Sequence, residues 1–326
     1  MKIPLREIET TANAALVAHG AGEWQAAEVA RAVTRAEETG NVICGLYYLE
    51  SYCKQLVSGR VNGIVEPLVT KSRPGAITVD ARLGFAQPAF SRGLSLAIDA
   101  ARECGIASLA VAHSHTCTSL GFFTEQIAAK GLVGLGFTNA SAIVSGPGGK
   151  TPIIGTNPIA ISMPGDGTPR FHADFSTAAV ALGKITMAKA AGEKIPLGWA
   201  VDENGTPTDD PEAALAGSLV SAASYKGWAL GLVVELFAAG LTGSVCSIDS
   251  RGLKAETGPP HDLGQVYILI DPSAHAEAFE ATFDRLQQAI ETDAGVRVPG
   301  MNRRTQDPVE IDDAFWASIQ RLAEGP

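Results

Sequence analysis

The stretch ASLAVAHSHTCTSLGFFTEQIAAKGLVGLGFTN (residues 107–139) joins two apolar, strand-like runs through a helix-like segment. Its two ends have the short apolar runs of buried strands, whereas residues 119–130 have the apolar spacing of a helix. Strand-like and helix-like runs continue to alternate from Ile77 to about residue 164. Such alternation predicts an α/β domain.

Helical patterns predominate at both ends of the chain. Three segments near the start have helical spacing and end in glycine, namely residues 7–20, 23–40 and 42–59. Amphipathic helices are also predicted for residues 275–293 and 312–325, and a long apolar helix for 226–243. We therefore expect a helical N-terminal segment (1–62) that packs with C-terminal helices (274–326), and an α/β domain between them (63–273).

The composition excludes several classes of protein. The chain has 326 residues, of which 46% are hydrophobic, and a net charge of −10 with dispersed lysines and arginines. A nucleic-acid-binding protein would show a basic stripe, and a membrane span would need a longer apolar run. The N-terminus lacks the apolar core of a signal peptide. Five cysteines without a CxxC pair indicate free thiols in a reducing compartment, so we expect a cytoplasmic protein.

Two common nucleotide-binding motifs are missing from this sequence. Residues 149–151 read GKT, but a phosphate-binding loop requires a glycine five residues before Gly149, where Val144 stands. No GxGxxG follows a strand near the N-terminus either. The sequence therefore does not predict an ordinary Rossmann domain.

The polar cluster at residues 113–119 has three interpretations. On a strand, His113, His115 and Cys117 would share one face and could bind zinc, although the other histidines are isolated in the sequence. A simpler interpretation is a strand end whose polar side chains face solvent. The third is an anion site, because the cluster directly precedes a predicted helix whose N-terminal N–H groups would be free.

Three further charged residues stand at informative positions. Lys184 and Lys226 are flanked by glycines, which is typical of surface turns, but in a pocket either would pair with a carboxylate or a phosphate. Asp174 follows a strand-like run, and its simplest role is to cap the next helix. The residues alone thus indicate an α/β protein with a plausible anion-binding site.

Several longer segments resemble the malate/L-lactate dehydrogenase family. They are GTNP (155–158), PLGWAVDENGTPTDDPEAAL (196–215), YKGWALGLVVELFAAGLTG (225–243) and VPGMNRR (298–304). Members of this family reduce 2-oxo acids or cyclic 2-imino acids with NADH or NADPH, on a fold unrelated to Rossmann. The resemblance implies a non-Rossmann, L-sulfolactate dehydrogenase-like α/β domain at 63–273 that binds cofactor and substrate, with no metal.

The resemblance also implies roles for individual residues. The cofactor would contact Thr116, Cys117, Thr118, Ser119, Leu120, Asp174, Phe175, Ser176, Tyr225, Lys226, Asn302, Arg303 and Arg304. The substrate would contact Cys44, Tyr47, Thr156, Leu182 and Gly183. Arg303 and Arg304 would hold the ribose phosphate of NADPH, because a guanidinium group suits that dianion.

This chain departs from the family pattern at the expected proton donor. The family usually has Ser-His-Gly followed by an arginine, in which the histidine donates a proton and the arginine holds the carboxylate. Here residues 43–48 read ICGLYY, and Lys184 replaces the aspartate of the imino-acid reductases. Thr116 likewise replaces a histidine of the cofactor turn. Tyr48, Lys184 and His115 are the candidate catalytic residues that remain, with Tyr47 as a further donor.

These departures favour reduction of a cyclic imine. Reduction of a ketone benefits from a general acid, whereas an iminium accepts hydride without one. We therefore expect a Δ1-pyrroline-2-carboxylate or Δ1-piperideine-2-carboxylate reductase that uses NADPH or NADH, produces L-proline or L-pipecolate and forms a homodimer. The alternatives are a 2-hydroxy-acid dehydrogenase acting on malate, lactate or ureidoglycolate, a non-catalytic member and, more distantly, a metal hydrolase.

Overall fold

A computed structural model describes residues 1–253, 255–275, 277–301, 303 and 305–325. The helices are α1 (Leu5–Ala18), α2 (Glu23–Glu38), α3 (Leu49–Val57), α4 (Ala86–Cys104), α5 (Gly121–Ala128), α6 (Leu182–Ala191), α7 (Pro211–Ala216), α8 (Tyr225–Glu235), α9 (Ala278–Glu291) and α10 (Asp313–Glu324). The strands are β1 (Lys2–Ile3), β2 (Leu68–Arg73), β3 (Ala76–Asp80), β4 (Ile106–Ser114), β5 (Val133–Thr138), β6 (Val144–Ser145), β7 (Pro152–Ile154), β8 (Ile159–Met163), β9 (Phe171–Phe175), β10 (Ala200–Val201), β11 (Ser218–Leu219), β12 (Leu263–Ile270) and β13 (Val309–Glu310).

The centre of the fold is a seven-stranded mixed sheet in the order β2-β3-β4-β12-β5-β8-β9. The strands β3 and β4 are parallel, and the other neighbouring pairs of this sheet are antiparallel. The apolar strand β12 lies between β4 and β5, so the stretch 107–139 is divided by a strand from much later in the chain. The sheet and its helices confirm the predicted mixed α/β fold class.

A smaller sheet carries the second half of the α/β region. Its order is β10-β11-β6-β7, and it shares an apolar core with α6 and α7. Val144, Ile154, Ile185 and Leu219 are buried in this core. The glycine- and proline-rich loop at 145–158 includes β7 of this sheet and leads back to β8 of the large one.

The N- and C-terminal helices share another apolar core. Ile8 and Leu16 of α1 are buried together with Trp316 and Ile319 of α10, and β1 pairs with β13. The helix α9 has no buried residue among those described. The proposed division of the chain at residues 62 and 273 stays a prediction.

Two predicted helices differ from those observed. The segment 42–59 begins as two short 3₁₀ turns, Val42–Cys44 and Leu46–Tyr48, before α3 starts. The cause is the Glu37 carboxylate, which accepts the backbone N–H of Leu46 at 2.7 Å and occupies the space beside Gly45. The helix predicted for 226–243 ends its α-helical part at Glu235 and continues as a π-helical turn to Gly240.

Among the described helices, none has the length and apolar character needed to cross a membrane.

Candidate active site

The polar cluster forms the turn between β4 and α5. Thr118 lies in the left-handed region with φ = 57°, which allows the turn to reverse direction before the helix. The first N–H of α5, on Gly121, donates to the Asp174 carboxylate at 2.7 Å. A Cβ on residue 121 would lie 2.7 Å from the His172 ring, so glycine permits this close contact. The turn and β9 are thus held together.

Asp174 has an unusual carboxyl group. Burial by the surrounding protein raises its pKa to about 6, although the Gly121 N–H bond and Arg303 oppose the shift. The residue is nevertheless exposed to solvent as a whole, which limits the effect of burial on its pKa. A carboxyl group with this pKa changes protonation near neutrality and can therefore exchange a proton. The sequence predicted only a capping or cofactor-binding role for it.

The turn at residues 43–48, called the substrate turn below, contains weak acids. Burial and the nearby Asp174 charge raise the pKa of the Cys44 thiol to about 12. Burial and the neighbouring Tyr47 raise the pKa of Tyr48 to about 12. Both groups stay protonated at neutral pH, and their pKa values lie far above the range favoured for a general acid. These two side chains are therefore better suited to bind and orient a substrate than to transfer a proton to it.

The helix α6 brings its N-terminus against this turn. A Cβ on Gly183 would lie 3.2 Å from the Cδ1 atom of Ile43, so the two segments are in contact. Leu182 is 39% exposed, and Lys184 is exposed one residue after Gly183. The predicted substrate residues Cys44, Leu182 and Gly183 are therefore close together, with Lys184 beside them.

The GTNP segment is held by a network of hydrogen bonds. The carbonyl oxygen of Thr156 accepts from the Ser176 hydroxyl and from the N–H and hydroxyl of Thr177, at 3.0–3.1 Å. Asn157 is buried with φ = 38°, and its amide donates to Glu235 of α8 at 2.8 Å. These bonds fix Thr156 next to the predicted cofactor residues Phe175 and Ser176.

The start of α8 is a strained turn. Ala223 and Ser224 both have positive φ, of 50° and 54°, which is costly for residues with a Cβ. They precede Tyr225 and Lys226, whose side chains are exposed. Gly231 of the same helix packs against Thr177, which ties α8 to the GTNP segment. The predicted cofactor residues of α8 thus project from a fixed backbone.

The described residues of the VPGMNRR segment (298–301 and 303), here called the C-terminal arm, contact β9 and α5. The N–H of His172 donates to the Pro299 carbonyl at 3.0 Å, and a Cβ on Gly300 would come within 2.7 Å of the His172 backbone. The Arg303 guanidinium donates to the Glu125 carboxylate at 2.7 Å. The predicted residues Asn302 and Arg304 lie outside the described residues.

A cavity of about 900 Å³ lies beneath this arm. Its basic lining residues are Arg35, Arg170 and Arg303, and each is already paired with a carboxylate. Glu125 accepts from both Arg35 and Arg303, and His172 lies 3.5 Å away. The residue Glu125, which the sequence did not single out, therefore joins α2, α5, β9 and the arm.

Replacing Glu125 with glutamine is expected to raise the KM for NADPH about tenfold with little change in kcat. The amide would lose one charge-assisted bond to Arg303 of the arm and one to Arg35 of α2, each worth roughly 1.5–3 kcal/mol. Glu38→Gln is the control, because Glu38 pairs with Arg35 but not with the arm. Equal KM values for the two variants and the wild type would contradict a positioning role for Glu125.

His115 does not lie where a proton donor must be. Its ring is 1% exposed, packs edge-on against Tyr52 and Phe85, and contacts the Gln55 amide oxygen through Nε2 at 3.0 Å. Burial lowers its pKa well below the ordinary value. The buried position and the lowered pKa of this ring contradict the prediction of His115 as a catalytic acid.

The zinc interpretation finds no support in the geometry. His113 contacts Asp262 at 2.8 Å, His115 points into the interior, and Cys117 is buried elsewhere in the core. Among the described residues there is no group of three or more histidine, cysteine or acidic side chains suited to a metal ion.

The stability of the fold is expected to fall as the pH drops from about 6.5 to about 4. Burial, with a smaller contribution from the nearby Arg60, lowers the pKa of His261 to about 4. The unfolded chain therefore binds a proton that the folded chain excludes in this range, and about 3 kcal/mol would be lost. Urea unfolding at pH 7 and pH 5 measures the effect. The His261→Phe variant should lose less stability between those pH values; equal losses would contradict the account.

Comparison with known proteins identifies this fold. The solved Δ1-piperideine-2-carboxylate reductase of Pseudomonas syringae pv. tomato superposes with a TM-score of 0.91 at 32% identity, covering 99% of both chains. The malate/L-lactate dehydrogenase family model matches residues 3–320, and the chain belongs to this family. This result confirms the resemblance and the class of NAD(P)-dependent oxidoreductase that the sequence predicted.

Two relatives of known activity are similar over nearly their whole length. The (2R)-3-sulfolactate dehydrogenase (NADP(+)) of Chromohalobacter salexigens is 42% identical, and the match covers 98% of each chain. The Δ1-pyrroline-2-carboxylate reductase of Ancylobacter novellus is 36% identical over 99% of this chain and 97% of its own. The relatives thus include both a hydroxy-acid dehydrogenase and imino-acid reductases.

Proposed function

We propose that this protein reduces a cyclic 2-imino acid, Δ1-pyrroline-2-carboxylate or Δ1-piperideine-2-carboxylate, with NADPH or NADH. The observation that carries the proposal is the substrate turn, which contacts α6 through Ile43 and Gly183 and whose ionisable side chains, Cys44, Tyr47 and Tyr48, are a thiol and two phenols. An iminium substrate already carries the proton that a ketone would take from a general acid. A substrate turn without an effective acid of its own therefore suits an iminium better than a 2-oxo acid.

Several proposed cofactor-binding residues lie beside α5 and β9. The turn 116–120 meets Asp174 through the Gly121 N–H, and the arm that carries Arg303 bonds to His172, two residues along β9 from Asp174. A phosphate could bind a guanidinium group at the cavity only by replacing its carboxylate partner, which for Arg303 is Glu125. The absence of a side chain at Gly121 and Gly300 lets the backbone of both residues pack closely against His172 of β9. When bound, the nicotinamide supplies the hydride, and the chain's residues bind and orient it.

On the substrate side, Lys184 is assigned to the carboxylate. The family resemblance implies that it stands where imino-acid reductases have an aspartate, and it lies at the N-terminus of α6, next to the substrate turn. An ammonium group compensates for the missing arginine, since both attract a carboxylate. Thr156 would offer a hydroxyl from the fixed GTNP segment. Together they hold the imino acid while the turn excludes water.

A 2-hydroxy-acid dehydrogenase is the second candidate. It is favoured by the 42% identity to the sulfolactate dehydrogenase and by the pKa of about 6 at Asp174. Asp174 would then donate the proton to the oxo group, a role that Tyr48 is too weakly acidic to perform.

Two further features accompany this proposal. Leu230, Val233 and Leu236 on α8 and the π-helical turn are 42–67% exposed, and such an apolar face is typical of a subunit interface, so we assign a homodimer. All five cysteines are free, which suits a reducing compartment such as the cytoplasm.

The Asp174→Asn variant separates the two candidate functions. Its amide oxygen can still accept the Gly121 N–H, but it cannot donate a carboxylic proton. For an imine reductase, kcat with Δ1-pyrroline-2-carboxylate should stay within about threefold of the wild type. For an oxo-acid reductase, kcat should fall by roughly two to four powers of ten. The latter result would favour the second candidate.

A further inference from the structure

A chain of hydroxyl groups runs through the interior between α5 and β9. The Thr124 hydroxyl lies 2.8 Å from the Ser162 hydroxyl, which in turn lies 2.8 Å from Nδ1 of His172. Thr124 also donates to the carbonyl oxygen of Gly121 at 3.2 Å. All three side chains are buried. The chain therefore links one nitrogen of the His172 ring to the first residue of α5, whose N–H holds Asp174.

The other nitrogen of this ring faces a carboxylate. Nε2 of His172 lies 3.5 Å from Oε1 of Glu125, the same oxygen that accepts from Arg303 at 2.7 Å. Oε2 of Glu125 accepts from Arg35 at 2.9 Å. A carboxylate only accepts hydrogen bonds, so the tautomer that suits this position carries its hydrogen on Nε2. Nδ1 is then an acceptor, and the Ser162 hydroxyl donates to it.

The hydroxyl chain suits a protonated ring as well. With a second proton on His172, its Nδ1–H would donate to Ser162, Ser162 would donate to Thr124, and Thr124 to the Gly121 carbonyl. The hydroxyl groups can rotate in this way because each of them both donates and accepts. A buried charge without such partners would be costly, whereas this ring has partners for both nitrogens in either charge state.

The charges around the ring decide which state is populated. Burial lowers the pKa of His172, Glu125 raises it, and Arg303 and Arg35 lower it. Other ionisable groups near the ring are Glu38, Asp166, Arg170 and Glu280, which line the same cavity, and Asp174 of the same strand. Departure of Arg303 from Glu125 would remove a positive charge beside the ring and free the Oε1 atom that the ring faces.

We propose that His172 takes up a proton from solvent when Arg303 exchanges Glu125 for the cofactor phosphate, and that it replaces Arg303 as a cationic partner of that carboxylate. His172 is thus a positioning residue, which keeps Glu125 paired while the guanidinium binds the phosphate. The proposal rests on the proposed function in that Arg303 binds a cofactor phosphate. Through this group, a lower pH favours cofactor binding, because the bound form holds one more proton than the free form.

The first test needs no cofactor. NMR follows the titration of His172 in the wild type, in Arg303→Met and in Arg31→Met, the control, whose arginine pairs with Glu28 and Gln126 at the surface. The titration midpoint of His172 should move to higher pH in Arg303→Met, because the opposing charge is gone, and stay unchanged in Arg31→Met. An unchanged midpoint in Arg303→Met would overturn the proposal, whatever reaction the protein catalyses.

Calorimetry then measures the proton uptake on binding. NADP⁺ is titrated into the full-length protein at about pH 6.5, near the ordinary pKa of histidine, in PIPES, ACES and imidazole buffers. Because the ionisation enthalpies of these buffers differ, the dependence of the binding heat on the buffer counts the protons. The wild type should take up at least about 0.3 proton per NADP⁺ more than His172→Gln, whose amide cannot be protonated.

The comparison of variants separates this exchange from other titrations. Protons exchanged by the phosphate itself contribute equally to the wild type and to His172→Gln. His275→Gln, at an exposed position, should behave as the wild type. Binding of NADP⁺ with equal uptake in the wild type and His172→Gln would overturn this inference and leave the proposed function intact. Absence of NADP⁺ binding to the wild type would contradict both.

Discussion

Replacing Arg60 with methionine is expected to lower the free energy of unfolding by about 3–5 kcal/mol, since several buried acceptors would lose their donor at roughly 1–3 kcal/mol each. The Arg60 guanidinium is 2% exposed and donates to the carbonyl oxygens of Gly252, Ala255 and Pro259 and to the Gln55 side chain, at 2.6–3.3 Å. These bonds hold the loop before β12 against the end of α3. Urea unfolding at pH 7 measures the loss.

The matched control for Arg60 is Arg102→Met. Arg102 makes one exposed bond to the Lys130 carbonyl, so its loss should cost less than about 1 kcal/mol. The Arg60→Lys variant should have a free energy of unfolding between those of the Arg60→Met and Arg102→Met variants, because lysine keeps the charge but not the planar guanidinium group. Equal stability of the Arg60 and Arg102 variants would show that the loop is held by other contacts.

Replacing Lys184 with methionine is expected to raise the KM for the imino acid about tenfold to a hundredfold. The change removes a charge-assisted bond to the substrate carboxylate, worth roughly 1.5–3 kcal/mol. That bond is made equally in the ground and transition states, so kcat should change little. Steady-state kinetics with Δ1-pyrroline-2-carboxylate and saturating NADPH measures both parameters.

Lys189→Met tests whether the effect is specific to position 184. Lys189 lies on the same helix, is exposed, and pairs with Glu212 on the surface. It should behave as the wild type in KM and kcat. If the two lysine variants have the same KM, then Lys184 does not hold the carboxylate, and Thr156 or the backbone must do so.

The sequence predicted the fold well where periodicity was strong. The helices α1, α2 and α10 and the strands β3, β5 and β12 were evident from their apolar spacing. The interruption of the predicted helix 42–59 at Gly45 could not be read from the apolar spacing. It depends on the Glu37 side chain, which lies eight residues earlier in the chain. Nor could periodicity show that β12 lies between β4 and β5.

The candidate site was predicted largely through the family resemblance. Asp174 accepts the N–H of Gly121, which directly follows residues 116–120, so these two predicted cofactor segments are neighbours in space. His115 was misassigned because its neighbours in sequence are polar, whereas its neighbours in space are Tyr52 and Phe85. Glu125 was missed because an acid in the middle of an ordinary helix carries no signal; only its contacts with Arg35 and Arg303 reveal its role.

The most direct test of the proposed function is to mix the purified protein with NADPH and follow the absorbance of the reduced nicotinamide. Δ1-Pyrroline-2-carboxylate, Δ1-piperideine-2-carboxylate, pyruvate, oxaloacetate and 3-sulfopyruvate are tested in parallel. We predict consumption of NADPH with a cyclic imine and at least about a hundredfold lower kcat/KM with every oxo acid, because the substrate turn lacks an effective acid. Consumption with an oxo acid alone, or with no substrate at all despite NADPH binding, would contradict the account.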